Sequence, residues 1–176
     1  MAERGKAYRG MAGQLAVMAE FAVLGYNVAV PEIDEGDDIF VSEPDTTRIW
    51  RVQVKASKAK RPAAGTTPKS EGFQFLVKKD FITDPNNNPP VHVVFAMRSD
   101  MDAFWRFLVF ERPALKALYT SGSLGKANKR GGVDYIQYSF SRHFAGAYMG
   151  TTRGNKADYS QYVSDWSAWL IKPWMV

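Results

Sequence analysis

The sequence has no cysteine and only two histidines among its 176 residues. The absence of cysteine excludes a disulfide framework and any metal site built from thiolates. The first nine residues are charged rather than apolar, and no apolar run reaches the length of a membrane helix, so neither a signal peptide nor a membrane span is expected. We therefore expect a soluble, cytoplasmic protein.

Apolar and aromatic residues, by contrast, are plentiful. Hydrophobic residues make up 45% of the chain and aromatic residues 14%, which argues against disorder. The length is that of one ordinary domain, and neither an internal repeat nor a composition boundary divides it. We predict a single domain over residues 1–176.

The apolar pattern predicts the order of secondary structure. The predicted helices span residues 10–24, 111–119 and 159–170, the predicted strands span 27–30, 38–41, 49–55, 73–77, 91–97, 104–110 and 133–140, and the predicted loops include 59–72 and 121–132. This order predicts an α/β (α+β) fold in which a mixed central β-sheet is flanked by helices.

Two neighbouring strands carry the residues that suggest chemistry. Asp38 begins one apolar strand, and Gln53 and Lys55 lie two positions apart on the next, after a turn-forming segment. Side chains two apart on a strand point the same way, so Gln53 and Lys55 leave one face together. Asp38 can lie across the strand pair from them. An acid, an amide oxygen and an amine at one hairpin suit a divalent metal beside a phosphodiester.

This arrangement resembles the PD-(D/E)xK superfamily of restriction-endonuclease-like nucleases, in the QxK variant similar to some intron-encoded homing endonucleases. The resemblance extends to the preceding helix and the turn at Gly25 and Tyr26, and covers residues 8–57. It implies a restriction-endonuclease-like core and a Mg²⁺-dependent (or Mn²⁺-dependent) endonuclease that acts on double-stranded DNA. It also implies that Asp38, Gln53 and the Val54 carbonyl hold the metal, and that Lys55 assists the attacking water or the phosphate.

The chain departs from this family in its first helix. Relatives place a glutamate there facing the metal, and the matching position here is Gln14, which shares the apolar side of the helix with Phe21. Glu20 lies about 120° away, at the margin of that side, and is either a solvent-facing residue or a displaced catalytic carboxylate. Asp38 is then the one certain carboxylate. A catalytically inactive nucleic-acid-binding module is therefore the alternative function, and an unrelated α/β interaction protein is a third.

Charge changes sign at the same hairpin. Residues 1–50 hold nine acids and four bases, whereas residues 51–80 hold eight bases and two acids. A basic stretch beside a metal site would serve phosphate binding, although such runs are commonly only a solvated face. The residues predicted to contact nucleic acid are Lys58, Lys60, Arg61, Lys78, Lys79, Arg142 and Arg153.

Two further features have several interpretations. Tyr162, Trp166 and Trp169 fall on one stripe of the last predicted helix, where they could stack bases, pack in the core or form a homo-oligomer contact. His92 lies within an apolar run without a partner at ligand spacing, which favours a strand residue over a metal ligand.

Overall fold

The computed structural model describes residues 2–32, 36–59, 70–99, 103–143, 146–152, 155–164 and 166. The helices in these ranges are α1 (Ala2–Val23), α2 (Lys79–Thr83) and α3 (Arg112–Thr120). The strands are β1 (Asn27–Ala29), β2 (Ile39–Ser42), β3 (Ile49–Lys58), β4 (Ser70–Lys78), β5 (Val91–Arg98), β6 (Trp105–Glu111), β7 (Lys126–Arg130), β8 (Val133–His143), β9 (Tyr148–Thr152) and β10 (Asn155–Asp158). The mixed α/β composition confirms the predicted fold class. None of these helices combines the length and the apolar character that a membrane crossing requires.

The first sheet is mixed, with the strand order β1-β2-β3-β5-β6. Its strands β2 and β3 are antiparallel, as the predicted hairpin requires, whereas β3 and β5 are parallel. A parallel pair needs a crossover, which here includes β4 and α2. Seven of the eight residues of β5 are buried, which is typical of a strand covered on both faces.

The second sheet is antiparallel, with the order β10-β9-β8-β4 and with β7 also paired to β8. The prediction of a loop over 121–132 is therefore wrong for the residues of β7. Gly131 and Gly132 have positive φ values of 54° and 82° and form the two-residue turn between β7 and β8. The sequence of β7 has no apolar alternation, so its pairing with β8 defines it rather than burial of its own side chains.

The helix predicted for 159–170 is also wrong within the described residues. After β10 the chain makes only a short 3-10 turn, Ser160–Tyr162, and then bridges to β6 through Val163 and Leu108. Residues 167–170, which include Trp169, lie outside the described ranges.

The aromatic residues of that segment pack inside the molecule. Tyr162 stacks on Phe110 with ring centroids 4.3 Å apart, and Trp166 packs edge-on against Phe21 at 5.1 Å. Of the three interpretations of the C-terminal aromatic residues, packing in the core therefore describes Tyr162 and Trp166.

Two hydrophobic clusters arrange the molecule in three layers. One lies between the two sheets, where Phe95 of β5 meets Phe75 of β4 and Tyr138 of β8. The other lies between α1 and the first sheet, where Phe21 packs with Val52 and other residues of β3. The order of layers is helix, mixed sheet and antiparallel sheet.

Helix α1 approaches the first sheet closely at Gly13. A Cβ at Gly13 would lie 2.5 Å from the Cβ of Ala56, whereas a Cβ at Gly10 would meet nothing within 4 Å. We expect Gly13→Ala to lower the free energy of unfolding by about 1–2 kcal/mol, because overpacking costs more than the gain in helix propensity returns. Gly10→Ala, its matched control, should raise it by up to about 1 kcal/mol. Urea denaturation measures both, and equal stability of the two variants would contradict the close approach.

Candidate active site

Asp38, Gln53 and Lys55 lie together in a cleft of about 600 Å³ beside β3 of the first sheet. The second sheet supplies part of the lining, through Leu76 and Lys78 of β4 and Tyr135 of β8. The residues that line the cleft are Gly36, Asp38, Gln53, Lys55, Leu76, Lys78, Asp80, Phe81, Asp84 and Tyr135. A polar cleft with both amines and carboxylates thus opens where the two sheets meet.

Strand alternation places the β3 side chains. Val52 and Val54 are buried with α1 on one face, so Gln53 and Lys55 leave the other. The pairing of β2 with β3 ends at Ile39, and the N–H of Asp38 donates to the carbonyl of Val52 at 2.9 Å. Asp38 is therefore held beside β3 just where the ladder stops.

One oxygen of the Asp38 carboxylate accepts two hydrogen bonds from β3. Its Oδ2 accepts a hydrogen bond from the Val54 N–H at 2.7 Å and another from Nε2 of Gln53. In a strand, the N–H and C=O of one residue point to the same side. The Val54 carbonyl therefore faces the same side of β3, and oxygen atoms of Asp38 and Val54 are grouped there, with Nε2 of Gln53 directed at Asp38.

Gln14 supports this site from behind. Its Nε2 donates to the main-chain carbonyl of Asp38 at 2.7 Å, and its side chain is not among those that line the cleft. A glutamate at position 14 could not donate this hydrogen bond when ionised. The helix residue is thus fitted to hold the Asp38 main chain, which differs from the family role of a carboxylate that faces the metal.

Glu20 lies farther along α1 and is half-buried. It lies six positions after Gln14, which corresponds to a rise of about 9 Å along the helix axis. Within the described residues it does not line the cleft. Asp34 and Glu35, the loop acids near Asp38, lie outside the described ranges.

A buried arginine borders the cleft, and the sequence held no sign of it. Arg112, the first residue of α3, is 2% exposed and donates through Nη1 to Asp84 Oδ2 and to the Phe81 carbonyl, each at 3.3 Å. Its guanidinium also lies over the Phe81 ring, 5.4 Å from the centroid. The hydrogen bond from the Asn86 N–H, followed by Arg112, lowers the pKa of Asp84. This carboxylate is therefore kept ionised at the cleft.

Asp37, the neighbour of Asp38, contacts an arginine of β3. Its Oδ2 pairs with Nη1 of Arg51 at 3.5 Å. Burial raises the pKa of Asp37 above its usual value, and the positive charges of Arg51 and Arg112 oppose that shift. The ion pair with Arg51 therefore holds Asp37 against β3.

The predicted nucleic-acid contacts have different surroundings. Lys78 lines the cleft, Lys79 begins α2 and is half-buried, and Lys58 is exposed near the end of β3. Arg142 is 17% exposed and donates to the buried Glu71 at 3.3 Å, so a carboxylate already matches its charge. Lys60, Arg61 and Arg153 lie outside the described ranges.

His92 has the core position that its apolar neighbours indicate. It is 2% exposed in β5, and burial lowers its pKa to about 3, so the imidazole is neutral at neutral pH. Across the described residues, no group of three histidine, aspartate or glutamate side chains has the spacing of a metal centre. Asp38 is the carboxylate that lies beside Gln53 and Val54, and Asp80 and Asp84 line the same cleft.

Comparison with known proteins finds little similarity. No family model matches the chain, and no curated protein matches it. A search of solved structures finds similarity to a bacterial homing endonuclease, with 13% sequence identity, a TM-score of 0.49, and coverage of 92% of this chain and 88% of that one. At this identity and TM-score the likeness carries no functional conclusion.

Proposed function

We propose that the protein is a metal-dependent nuclease that hydrolyses phosphodiester bonds of DNA. The observation that carries the proposal is the convergence of Asp38, Gln53 and Lys55 in one cleft, which Lys78 of the second sheet also lines. Carboxylate and amide oxygens suit a hard cation, and two amines suit a phosphate.

The oxygen donors fit Mg²⁺ or Mn²⁺, because both prefer oxygen ligands. Asp38, the Val54 carbonyl and Gln53 would hold the ion, with the Gln53 amide turned so that Oε1 rather than Nε2 faces it. A bound ion would polarise the phosphate and lower the pKa of a coordinated water.

The protein's own groups would do the remaining work. Lys55 leaves β3 on the same face as Gln53, where its ammonium can hold the attacking water or neutralise charge that develops on the phosphate. Lys78 of β4 also lines the cleft and would hold a phosphate oxygen of the substrate. The Val54 N–H and the Gln14 amide keep Asp38 in place, so the site needs little rearrangement when substrate binds.

Nucleic-acid binding without cleavage is the second candidate function. It is favoured by the neutral amides at Gln14 and Gln53, which leave Asp38 as the one carboxylate among these three side chains, whereas hard cations prefer more charge. In this case the cleft would bind a phosphate through Lys55 and Lys78 without hydrolysing the phosphodiester bond.

Nicking of supercoiled plasmid tests the proposal. The full chain with Mg²⁺ or Mn²⁺ should convert the plasmid to open-circular or linear DNA, and EDTA should prevent it. Lys55→Met protein purified in the same way controls for contaminating nucleases. Salt-dependent DNA binding with no nicking under either metal would establish the binding function instead.

A further inference from the structure

We propose that the outer face of the second sheet binds double-stranded DNA in its major groove and reads bases through a row of amides. The outer face consists of the side chains that β4, β7 and β8 direct away from the core. The proposal rests on the proposed function for its substrate, and it adds the surface that holds the duplex and selects its sequence.

Burial identifies which side chains point outward. In β4, Phe73, Phe75 and Val77 are buried. Gln74, which lies between the two phenylalanines, and Lys78, which follows Val77, are exposed. Strand β8 alternates in the same way, with Ile136, Tyr138 and Phe140 buried and their neighbours half-buried. The registers then align rungs across the three strands, Leu76 with Gln137 and Lys126, and Lys78 with Tyr135 and Asn128.

The charge of this face suits a polyanion. The outward positions of β4, β7 and β8 carry three bases, Lys78, Lys126 and Arg130, and no acid, although the whole chain has 18 acidic residues. Glu71 of β4 and Asp134 of β8 fall on the opposite parity, and Glu71 is buried with Arg142. Positive charge without acids on one open face is the electrostatic footprint of nucleic-acid binding.

The same face carries amides in a fixed arrangement. Asn128 Nδ2 donates to Gln137 Oε1 at 2.9 Å, and Gln137 Nε2 donates to Ser139 Oγ at 3.4 Å. Gln74 lies in register with Ser139 on the neighbouring strand. Asparagine and glutamine pair with the N6 and N7 edge of adenine in the major groove. Three amides held on a rigid sheet are suited to that contact.

The outer face is continuous with the cleft. Leu76, Lys78 and Tyr135 belong to both, so a duplex that lies on the sheet brings its backbone to the cleft that holds Lys55. Neighbouring strands lie about 4.8 Å apart, so β4, β8 and β7 together span about 10 Å, which fits within the roughly 12 Å width of the major groove of B-form DNA. The major groove of A-form RNA is too narrow for such an element, which favours DNA as the occupant.

The bases of this face are tested by the salt dependence of binding. Replacing Lys78 and Lys126 with alanine should weaken binding of a fluorescein-labelled random-sequence 30-base-pair duplex about tenfold or more. It should also reduce the slope of log affinity against log salt by about 1.8, since each phosphate contact contributes about 0.9. Replacing Lys6 and Arg9, exposed on α1, with alanine removes the same charge and should leave the slope unchanged. Equal slopes in the two double variants would overturn the proposal.

The amides are tested by sequence selection. The parent should enrich particular sequences from a pool of randomised duplexes, and a variant with Gln74, Asn128 and Gln137 all changed to alanine should enrich different ones or none while keeping its salt slope. Asn27→Ala, on an exposed edge strand, is the control and should enrich the parent's sequences. Identical enrichment by parent and triple variant, or tighter binding of double-stranded RNA than of DNA, would overturn the assignment.

The two proposals can fail separately. Cleavage that survives while the outer-face variants bind like their controls would reject the docking surface alone. Binding that depends on the outer face in a parent that never cleaves would reject the nuclease alone. A parent that neither binds nor cleaves DNA would reject both.

Discussion

Changing Lys55 to methionine should reduce metal-dependent cleavage by about a hundredfold or more, because it removes the ammonium that would meet the charge developing on the phosphate. Methionine keeps the length and the apolar stem of the half-buried side chain, so the free energy of unfolding should change little. DNA affinity should fall by less than about tenfold, since one phosphate contact among several is lost. Single-turnover cleavage with bound DNA separates the two effects.

Lys6→Met is the matched control for this prediction. Lys6 is exposed on α1, away from the cleft, so the same substitution there should leave the cleavage rate unchanged. Cleavage by Lys55→Met at the parental rate would remove Lys55 from the site and with it the proposed mechanism.

Changing Phe95 to alanine should lower the free energy of unfolding by about 3–5 kcal/mol. Phe95 is fully buried between the sheets, and its ring lies 4.8–5.8 Å from the rings of Phe75, Phe110, Tyr138 and Phe140. Its removal leaves a cavity that these rings can fill only by moving both sheets. Urea denaturation at constant pH measures the loss.

Phe104→Ala provides the comparison. Phe104 is 66% exposed, so the same truncation should change the free energy of unfolding by no more than about 0.5 kcal/mol. A loss below about 1 kcal/mol at Phe95 would contradict a tightly packed interface between the sheets. Phe95 also lies in register with Lys55 on the neighbouring strand, so we expect cleavage to fall with stability in this variant.

Local signals predicted the half of the site that lies on one hairpin. A period of two along β3 is enough to separate Val52 and Val54 from Gln53 and Lys55, and a turn-forming segment is enough to return Asp38 to their side. These are relations between residues close in sequence. The pattern of apolar residues likewise predicted the positions of the strands that form the mixed sheet, although not which pairs of them run parallel.

The part of the site that comes from the second sheet and α3 could not be predicted in this way. Lys78, Tyr135 and Arg112 come from a strand, a hairpin and a helix that are distant along the chain, and no motif links them to Asp38. The helix predicted near the C-terminus failed for a related reason. Tyr162 and Trp166 have helical spacing, but they lie on an irregular segment and pack against two different hydrophobic clusters. Burial of these side chains therefore does not require a helix.

The sequence by itself determined the alternation of β3 and the acid, amide and amine of the hairpin, because those depend on neighbouring residues and on strand geometry. Only the tertiary structure decided that a second sheet forms, that β7 joins it, and that Lys78 and Lys55 line the same cleft. It also turned Gln14 into a donor to the Asp38 carbonyl. The physical reason is that β-sheet pairing and packing between sheets join residues far apart in sequence. Their free energy comes from shared burial and backbone hydrogen bonds, which leave no mark in any single segment.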